Sequence, residues 1–358
     1  MANNKVDAIK KIESLDNTNY DNYLKSVFKE KEFYFINDNF KSKKEKFFTT
    51  IKNVVFDALN DANIKKEDYR TLSVYIGSTS VNISVIQEEY KKNHKKNIVC
   101  NTMIIDYITS LLNLEKSAII FSTACTSSAN ALIYAADEIK QNNTSKALVL
   151  GLEFFNDLTF GGFTSLMLLS PTSKYLPLSK DSDGLILGEA CSAVVLENKA
   201  KNLNDFYILQ SENLFDNYSA TSSNPSGEVI YNTMFNSLKY SKLTINDIDI
   251  INTHSSGSPS SNEAEENALN QIINSSTNAI VTSIKPFIGH TLGACSVNEL
   301  VLLTSCIHSG FIPNTLGAKD TKKLKFSKYT KIDKRSTILF TYNGFSGNNL
   351  SFIISNKD

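Results

Sequence analysis

The sequence predicts an α/β protein in which layers of parallel strands alternate with helices, and three observations support this prediction. Short apolar runs rich in β-branched residues alternate with longer segments that repeat apolar residues every three or four positions. The alternation continues from residue 72 to residue 151, as expected for strands joined by helical crossovers. A similar order of elements returns after residue 200, which indicates an internal duplication without a residue-level repeat.

In the first half of the chain, residues 1–200, helices are assigned from one-sided apolar spacing and strands from short β-branched runs. The stretch up to about residue 45 is polar and holds one short apolar run compatible with a strand. Residues 153–178, with two adjacent glycines and few charges, are expected to form loops. The other predicted elements are helices at 45–63, 81–96, 103–112 and 129–139, and strands at 33–36, 72–76, 117–121, 147–151 and 183–197.

In the second half, residues 201–358, a strand at 206–210 is expected to pair with the strand at 183–197. A section rich in Ser, Asn, Pro and Gly follows, and the alternation then resumes. The predicted elements are helices at 229–240, 263–273 and 300–308, and strands at 248–252, 279–283, 337–342 and 351–355.

Cys125 lies where a short, buried, Ile-rich strand gives way to small residues and then to a helix with Ala and Leu at helical spacing. At such a turn a thiol faces free backbone N–H groups and the positive end of a helix dipole, which stabilise a thiolate and developing negative charge on a substrate. A buried packing role is the competing interpretation, because free cysteines are common in cores.

Two of the four histidines, His254 and His290, follow predicted strands and are flanked by small residues. Parallel sheets place such loops at the carboxyl ends of strands, where α/β enzymes carry their chemistry. Each alone is compatible with a capping role, but together they indicate a site shared with Cys125. Lys285 has apolar neighbours that suggest burial, and a buried ammonium needs a carboxylate partner.

The composition excludes several classes of protein. Lys plus Arg and Asp plus Glu each number 37, and a net charge of zero argues against a nucleic-acid binder. No apolar run reaches the roughly 18 to 20 residues of a membrane span, and the polar N-terminus argues against export. The five cysteines are odd in number and scattered, which predicts reduced thiols in the cytoplasm and no metal site.

Five motifs lie in order along the chain: Ser-Thr-Ala-Cys125-Thr-Ser, Asp183-Gly-Leu-Ile-Leu-Gly-Glu, Asn252-Thr-His254-Ser-Ser-Gly-Ser-Pro with Glu265, Ser283-Ile-Lys285-Pro-Phe-Ile-Gly-His290-Thr-Leu-Gly-Ala, and Asn343-Gly-Phe345-Ser-Gly-Asn-Asn. Together they resemble the motifs of the β-ketoacyl-acyl-carrier-protein synthases, the elongating condensing enzymes of fatty-acid and polyketide synthesis. The resemblance covers residues 45 to 355 and implies a thiolase-like fold, in which duplicated halves form a five-layer αβαβα sandwich, normally as a dimer.

The resemblance also implies a role for each motif residue. Cys125 takes the acyl group from an acyl carrier protein, and the backbone N–H groups of Cys125 and Phe345 form an oxyanion hole. His254 and His290 donate hydrogen bonds to the thioester oxygen of malonyl carrier protein and stabilise the enolate left by decarboxylation. Lys285, paired with a carboxylate such as Glu265, holds the His290 loop. Phe345 resembles a gating phenylalanine, and no metal or organic cofactor is implied.

The chain also departs from the family pattern. Ser255-Ser256-Gly257-Ser258 replaces a Gly-Thr-Gly-Thr run, and Asn262, Ser182 and Ser346 replace an Asp, an Arg and a Gly. The usual N-terminal strand is not recognisable, and the segment between Gly77 and Met103 is short. These features favour a specialised member, such as an aryl-polyene ketosynthase, working as a homodimer or paired with a related ketosynthase or chain-length factor.

Three alternatives remain open at this stage. A non-catalytic chain-length-factor subunit would usually lack the nucleophile, whereas Cys125, His254 and His290 are all present. A degradative thiolase that uses coenzyme A would need a second cysteine late in the chain, and none follows Cys306. A purely structural protein would carry all three residues in its core.

Overall fold

The computed structural model describes residues 12–14, 33–36, 39–93, 102–202, 204–321 and 323–357. The predictions for residues 1–11, for 94–96 at the end of one predicted helix and for Cys100 lie outside the described residues. Four strands form the first sheet and five form the second, in the orders β3-β2-β4-β6 and β7-β13-β12-β8-β9. The predicted α/β class is confirmed.

Six strands and five α-helices of nine or more residues lie in the described part of the first half. They are β1 (Phe33–Tyr34), α1 (Lys43–Asp61), β2 (Ser73–Gly77), α2 (Ile83–Asn93), α3 (Thr102–Leu112), β3 (Ile119–Phe121), α4 (Ser127–Lys140), β4 (Lys146–Glu153), α5 (Asp157–Ser165), β5 (Leu187–Gly188) and β6 (Ala190–Glu197). Strand β2 pairs in parallel with β3 and β4, and β6 closes the sheet antiparallel to β4. The short strands β1 and β5 pair with each other outside the main sheet.

The second half repeats this plan. Its elements are β7 (Tyr207–Phe215), α6 (Glu228–Tyr240), β8 (Ile250–Asn252), α7 (Pro259–Ile272), β9 (Ile280–Thr282), α8 (Lys285–Ile288), α9 (Cys295–His308), β10 (Phe311–Ile312), β11 (Thr330–Lys331), β12 (Thr337–Asn343) and β13 (Asn348–Ser355). Strand β8 pairs in parallel with β9 and β12, while β13 runs antiparallel to β12 and β7. The order β9-β8-β12-β13 therefore matches β3-β2-β4-β6 strand for strand.

The buried faces of the two sheets arrange the chain in five layers. Alternate residues of β4 point to opposite sides, so that Val149 contributes to the core shared with α4 and α9, and Leu150 to a core shared with α1 and α3. In the second sheet, Ile250 joins the α4–α9 core and Ile251 joins a core shared with α6 and α7. Helices α4 and α9 thus form the middle layer between the sheets. The division at residue 200 stays a prediction; each main sheet takes its strands from one side of it.

Three sequence predictions differ from the structure. Strand β7 pairs with β13 rather than with the strand at 183–197, because β7 begins the second sheet instead of extending the first. The segment expected to be a loop contains α5, whose first turn is capped by the Asn156 side chain accepting from the Thr159 N–H at 2.8 Å. Strand β3 is a sheet edge and not fully buried, since Ile119 is 45% exposed. Within the described residues, no helix combines the length and apolar character needed to cross a membrane.

Candidate active site

Cys125 sits in a sharp turn between β3 and α4. Ala124 adopts a left-handed backbone conformation, with φ of 53°, and turns the chain so that α4 starts two residues after Cys125. The Ser127 hydroxyl accepts from the Thr123 N–H at 2.9 Å and donates to the Ala124 carbonyl at 2.6 Å, which closes the turn. Cys125 is thus fixed at the positive end of a 14-residue helix, as the sequence predicts.

His254 follows β8 and is held through its backbone. The carboxylate of Glu265, on α7, accepts from the N–H groups of His254 and Ser255 at 2.6 and 2.7 Å. Ser255 has a φ of 38°, so the chain turns immediately after His254. Glu265 is fully buried and supports the loop that presents His254.

His290 follows the short helix α8, and its loop docks on the Asp183–Glu189 motif. The His290 N–H donates to the Ile186 carbonyl at 2.6 Å, and the His290 carbonyl accepts from the Gly188 N–H at 3.0 Å. Gly289 has a φ of 72°, and a side chain there would lie 2.8 Å from the Leu187 carbonyl oxygen. Only glycine allows this approach without strain.

The three side chains converge. The Cys125 Sγ and His290 Nε2 atoms lie 3.1 Å apart, and the two imidazole rings pack edge to face with their centroids 5.2 Å apart. One thiol and two imidazoles, drawn from three separate loops, lie with their donor atoms within 4.8 Å of one another. In the described part of the chain these residues form the single group with the spacing of a possible metal site.

Lys285 is buried, as its apolar neighbours predict, but its direct partner is Glu299 and not Glu265. The Lys285 Nζ lies 2.5 Å from Glu299 Oε1, and both side chains have no exposed surface. Glu299 also accepts from the Asn252 amide at 2.8 Å. Both carboxylate oxygens of Glu265 accept from backbone N–H groups and are not available to Lys285. Glu299 contacts the ammonium instead, because helix α9 packs against it, and this contact is not visible in the sequence. A lone acidic residue in the apolar run 297–303 was the available signal.

The electrostatics of the cluster favour neutral imidazoles and a thiol with strong anion stabilisers nearby. Burial, followed by the Lys285 charge, holds the pKa of both His254 and His290 well below the usual value. Burial raises the pKa of Cys125 to about 11, opposed by the N–H of Phe345, the Lys285 charge and the N–H of Cys125 itself. The N–H groups of Phe345 and Cys125 thus stabilise negative charge at the sulfur, next to which the oxyanion of a bound thioester would form.

Phe345 lines the same pocket as Cys125. Its ring stacks on that of Phe163, from α5, with centroids 5.8 Å apart and an angle of 16° between the planes. Ser346 takes a left-handed conformation with φ of 61°, and its N–H donates to the Ala220 carbonyl at 2.7 Å. Sequence reasoning did not identify Phe163, because the segment that carries it was expected to be a loop.

A pocket lined by Cys125, His254, His290 and Phe345 contains about 340 Å³ of empty space, part of which is open solvent. Seven of its fourteen lining residues carry hydroxyl groups and none carries a formal charge; these hydroxyl residues are Thr221, Ser222, Ser223, Ser256, Ser258, Ser260 and Ser261. The Ser182 hydroxyl donates to the Gly257 carbonyl at 2.5 Å and ties the wall of this cavity to the Asp183 turn. The departures from the family pattern thus give the site a neutral, polar entrance.

The fold and the site define a two-sheet α/β protein with a buried Cys–His–His centre, and sequence comparison gives its family. A profile described as the beta-ketoacyl synthase N-terminal domain matches residues 4–202, and one for the C-terminal domain of the same enzymes matches residues 207–319. The chain belongs to the beta-ketoacyl synthase family.

Relatives in sequence include probable polyketide synthases 30 and 29 of Dictyostelium discoideum, which are 26% and 27% identical over 84% of this chain. The chain spans only 11% of the length of each.

Similar solved structures include a β-ketoacyl synthase from Burkholderia phymatum STM815, with a TM-score of 0.75 and 19% identity over 93% of this chain and 90% of that one. Another is the AntDE:AntF complex, described as a type II polyketide synthase acyl carrier protein with its ketosynthase, with a TM-score of 0.78 and 20% identity over 90% of this chain and 87% of that one. A third is the ketosynthase ApeO with its chain length factor ApeC from Xenorhabdus doucetiae, with a TM-score of 0.72 and 20% identity over 90% of this chain and 86% of that one. At these identities the likeness concerns the fold.

Proposed function

We propose that the chain is an active ketosynthase that joins an acyl thioester to malonyl carrier protein by decarboxylative Claisen condensation. The convergence of Cys125, His254 and His290 around one cavity is the observation that supports this most directly. Membership of the beta-ketoacyl synthase family supplies the reaction class.

In the first step, the Cys125 thiolate attacks the carbonyl carbon of the acyl thioester. The N–H groups of Cys125 and Phe345 stabilise the tetrahedral oxyanion, and the carrier thiol leaves with the proton that Cys125 gave up. The same N–H groups and the N-terminus of α4 oppose the desolvation that raises the thiol pKa.

In the second step, neutral His254 and His290 each donate a hydrogen bond to the thioester oxygen of the malonyl group. The bond to the carboxylate breaks, CO₂ leaves, and the electron pair forms an enolate stabilised by the two donors. The enolate carbon then attacks the acyl–Cys125 carbonyl, and the cysteine thiolate is released. The roles of Lys285 and Glu265 are indirect: Lys285 biases the electrostatics of both imidazoles, and Glu265 fixes the loop of His254.

The proposed partners are acyl- and malonyl-loaded carrier proteins and a second ketosynthase-type subunit. The outer edge of β3 is unpaired in the described part of the chain, and Ile119 and Tyr134 beside it are 45% and 43% exposed. An open strand edge flanked by apolar side chains favours pairing with another sheet. We propose a homodimer or a heterodimer formed at this edge.

A specialised polyketide pathway in the cytoplasm is the setting that we propose, with an aryl-polyene-type product as one instance. The short stretch between β2 and α3 supports a trimmed, specialised member, and the four cysteines in the described part of the chain are all free thiols. The polyketide synthases of Dictyostelium discoideum among the relatives point to the same kind of chemistry.

The alternative of a non-catalytic chain-length-factor subunit is less well supported. ApeC, among the similar structures, is described as such a factor in complex with the ketosynthase ApeO. A subunit without chemistry has no need to place two neutral imidazoles beside a thiol in an accessible cavity.

Intact-protein mass spectrometry after incubation with acyl carrier proteins tests the proposal. We expect an added acyl mass on the wild type, none on Cys125→Ala, and full labelling of Cys306→Ala, which removes a buried thiol of α9 outside the cavity. His254→Ala should load the acyl group but lose about 100- to 1000-fold in malonyl decarboxylation. A Cys125→Ala protein that still condenses would refute the assignment of the nucleophile.

A further inference from the structure

His290 lies between two thiols, only one of which faces the cavity. Its Nε2 atom is 3.1 Å from Cys125 Sγ, and its Nδ1 atom is 3.1 Å from Cys295 Sγ. Cys295 is the first residue of α9, has no exposed surface and does not line the cavity. The proposed reaction leaves this second thiol without a role.

The direction of the hydrogen bonds around Cys295 follows from its neighbours. The Thr291 hydroxyl donates to Cys295 Sγ at 3.6 Å, which occupies the weak acceptor capacity of the sulfur. Burial raises the pKa of the Cys295 thiol far above its ordinary value, so the sulfur keeps its proton. The lone pair of His290 Nδ1 lies close enough to accept a hydrogen bond from this thiol.

A neutral imidazole carries one N–H. If one ring nitrogen accepts a hydrogen bond, the proton must therefore be on the other nitrogen. If Nδ1 accepts from Cys295, Nε2 carries the hydrogen and donates toward Cys125 and the cavity. The opposite tautomer would require Cys295 Sγ to accept from both Thr291 and His290. It would also present a lone pair where the thioester oxygen of a malonyl group has to be stabilised.

We propose that Cys295 is a positioning residue that fixes His290 in its Nε2–H tautomer, through a chain running from the Thr291 hydroxyl to the Cys295 thiol to His290 Nδ1. This inference deepens the proposed function and rests on it for its catalytic consequence. The hydrogen-bond chain supplies the pre-oriented donor that decarboxylation requires, and Cys295 itself never touches the substrate.

Nuclear magnetic resonance of protein labelled with ¹⁵N-histidine tests the tautomer without any reaction, because two-bond ¹⁵N–¹H correlations distinguish the two ring nitrogens. We expect the Nε2–H pattern for His290 in the wild type and in Cys295→Ser, whose hydroxyl keeps a donor at this position. Cys295→Ala should show a mixture of tautomers. Cys306→Ala, the matched loss of a buried thiol on the same helix, should keep the wild-type pattern.

The kinetic arm measures malonyl decarboxylation and acyl loading separately. Cys295→Ala should lower kcat for decarboxylation about 10-fold, as expected for one misplaced or missing hydrogen-bond donor, while the final extent of acyl loading stays full. Cys295→Ser should recover most of this loss, and Cys306→Ala should show none.

An Nδ1–H tautomer in the wild type would overturn the inference whatever the variants do, so the test does not depend on Cys295→Ala folding. An unchanged tautomer and rate in a folded Cys295→Ala protein would overturn it equally. A wild type that never decarboxylates malonyl carrier protein refutes the proposed function, and the resonance experiment then decides the tautomer assignment by itself.

Discussion

Lys285 and Glu299 carry opposite charges in a region from which water is excluded, so each depends on the other. Replacing Lys285 with Met leaves the Glu299 carboxylate without its cation, and we expect a loss of about 3–5 kcal/mol in the free energy of unfolding. The double variant Lys285→Met/Glu299→Leu removes both charges and should regain most of this loss. Denaturant titration of the single and double variants measures the coupling.

Arg70 and Glu115 provide a matched control, because they form an ion pair whose side chains are half exposed. Replacing Arg70 with Met should change the free energy of unfolding by less than about 1 kcal/mol. A Lys285→Met variant as stable as Arg70→Met would show that the buried pair has been misassigned.

Glu265 gives the fold a pH dependence of defined sign. Burial raises its pKa from 4.5 to about 7, so between these values the folded protein binds more protons than the unfolded one. Stability contributed by this group is present below about pH 4.5 and is lost as the pH rises through 7. Glu265→Gln should therefore flatten the fall of unfolding free energy between pH 5 and 7, by about 1–3 kcal/mol over the interval.

The readout for Glu265→Gln is the slope of the free energy of unfolding against pH. Its absolute value is not suitable, because the amide of a glutamine cannot accept from both the His254 and Ser255 N–H groups and will lower stability at every pH. Glu263→Gln, on the same helix, provides the control. Equal slopes in wild type and Glu265→Gln would contradict the assignment.

Single residues with a chemical signature were predictable from sequence, and their partners were not. Cys125, His254 and His290 stand in short motifs whose backbone surroundings are local, and the structure brings their side chains together. Glu299 was not predicted, because its contact with Lys285 depends on the packing of helix α9 against helix α8. Cys295 is one of five scattered cysteines, and nothing in its spacing reveals that it faces an imidazole.

The junction of β2 and α4 sets the position of the nucleophile. A side-chain carbon on Gly77, at the end of β2, would lie 2.2 Å from the Ser128 Cα in the first turn of α4. Gly77→Ala should therefore displace that turn, lower the free energy of unfolding by about 3 kcal/mol and slow the acylation of Cys125. Thermal unfolding and the rate of acyl loading measure the two effects.

Gly161 in α5 serves as the control for this substitution, because a side-chain carbon there meets no atom within 4 Å. Gly161→Ala should stabilise the protein by about 0.5–1 kcal/mol through helix propensity alone. Acyl loading that is as fast in Gly77→Ala as in Gly161→Ala would mean that the β2–α4 contact does not position Cys125.

Elements defined by their own periodicity were predicted to within a few residues, whereas helix α5 and the pairing of strand β7 were not. Helix α5 contains Gly161 and Gly162, which mask its helical pattern, and its Asn156 cap becomes meaningful only once the helix is known. Strand β7 was assigned to the neighbouring strand in sequence, but its register is set by seven residue pairs with β13 at the far end of the chain.

The whole molecule is built as two similar sheets around the shared α4–α9 layer, but their edges differ. In the second sheet, β7 covers the edge of β13; in the first, the described residues provide no equivalent strand beside β6. The opposite edge of the first sheet, β3, is also open and carries the partly exposed Ile119.

The exposed β3 edge leads to a prediction about assembly. If two copies pair at this edge, Ile119 lies near the centre of the interface, and Ile119→Lys places a charge where the partner strand excludes water. Light scattering coupled to size exclusion should show a dimer for the wild type and a monomer, or at least a 100-fold weaker dimer, for the variant. Tyr240→Lys, on the outer helix α6 of the other sheet and 52% exposed, should leave the dimer intact.

A stable dimer of Ile119→Lys, or dissociation caused by Tyr240→Lys alone, would locate the subunit interface away from β3. Because Cys125 lies in the turn that follows β3, dissociation should also slow acyl loading, and only in the variant of this edge.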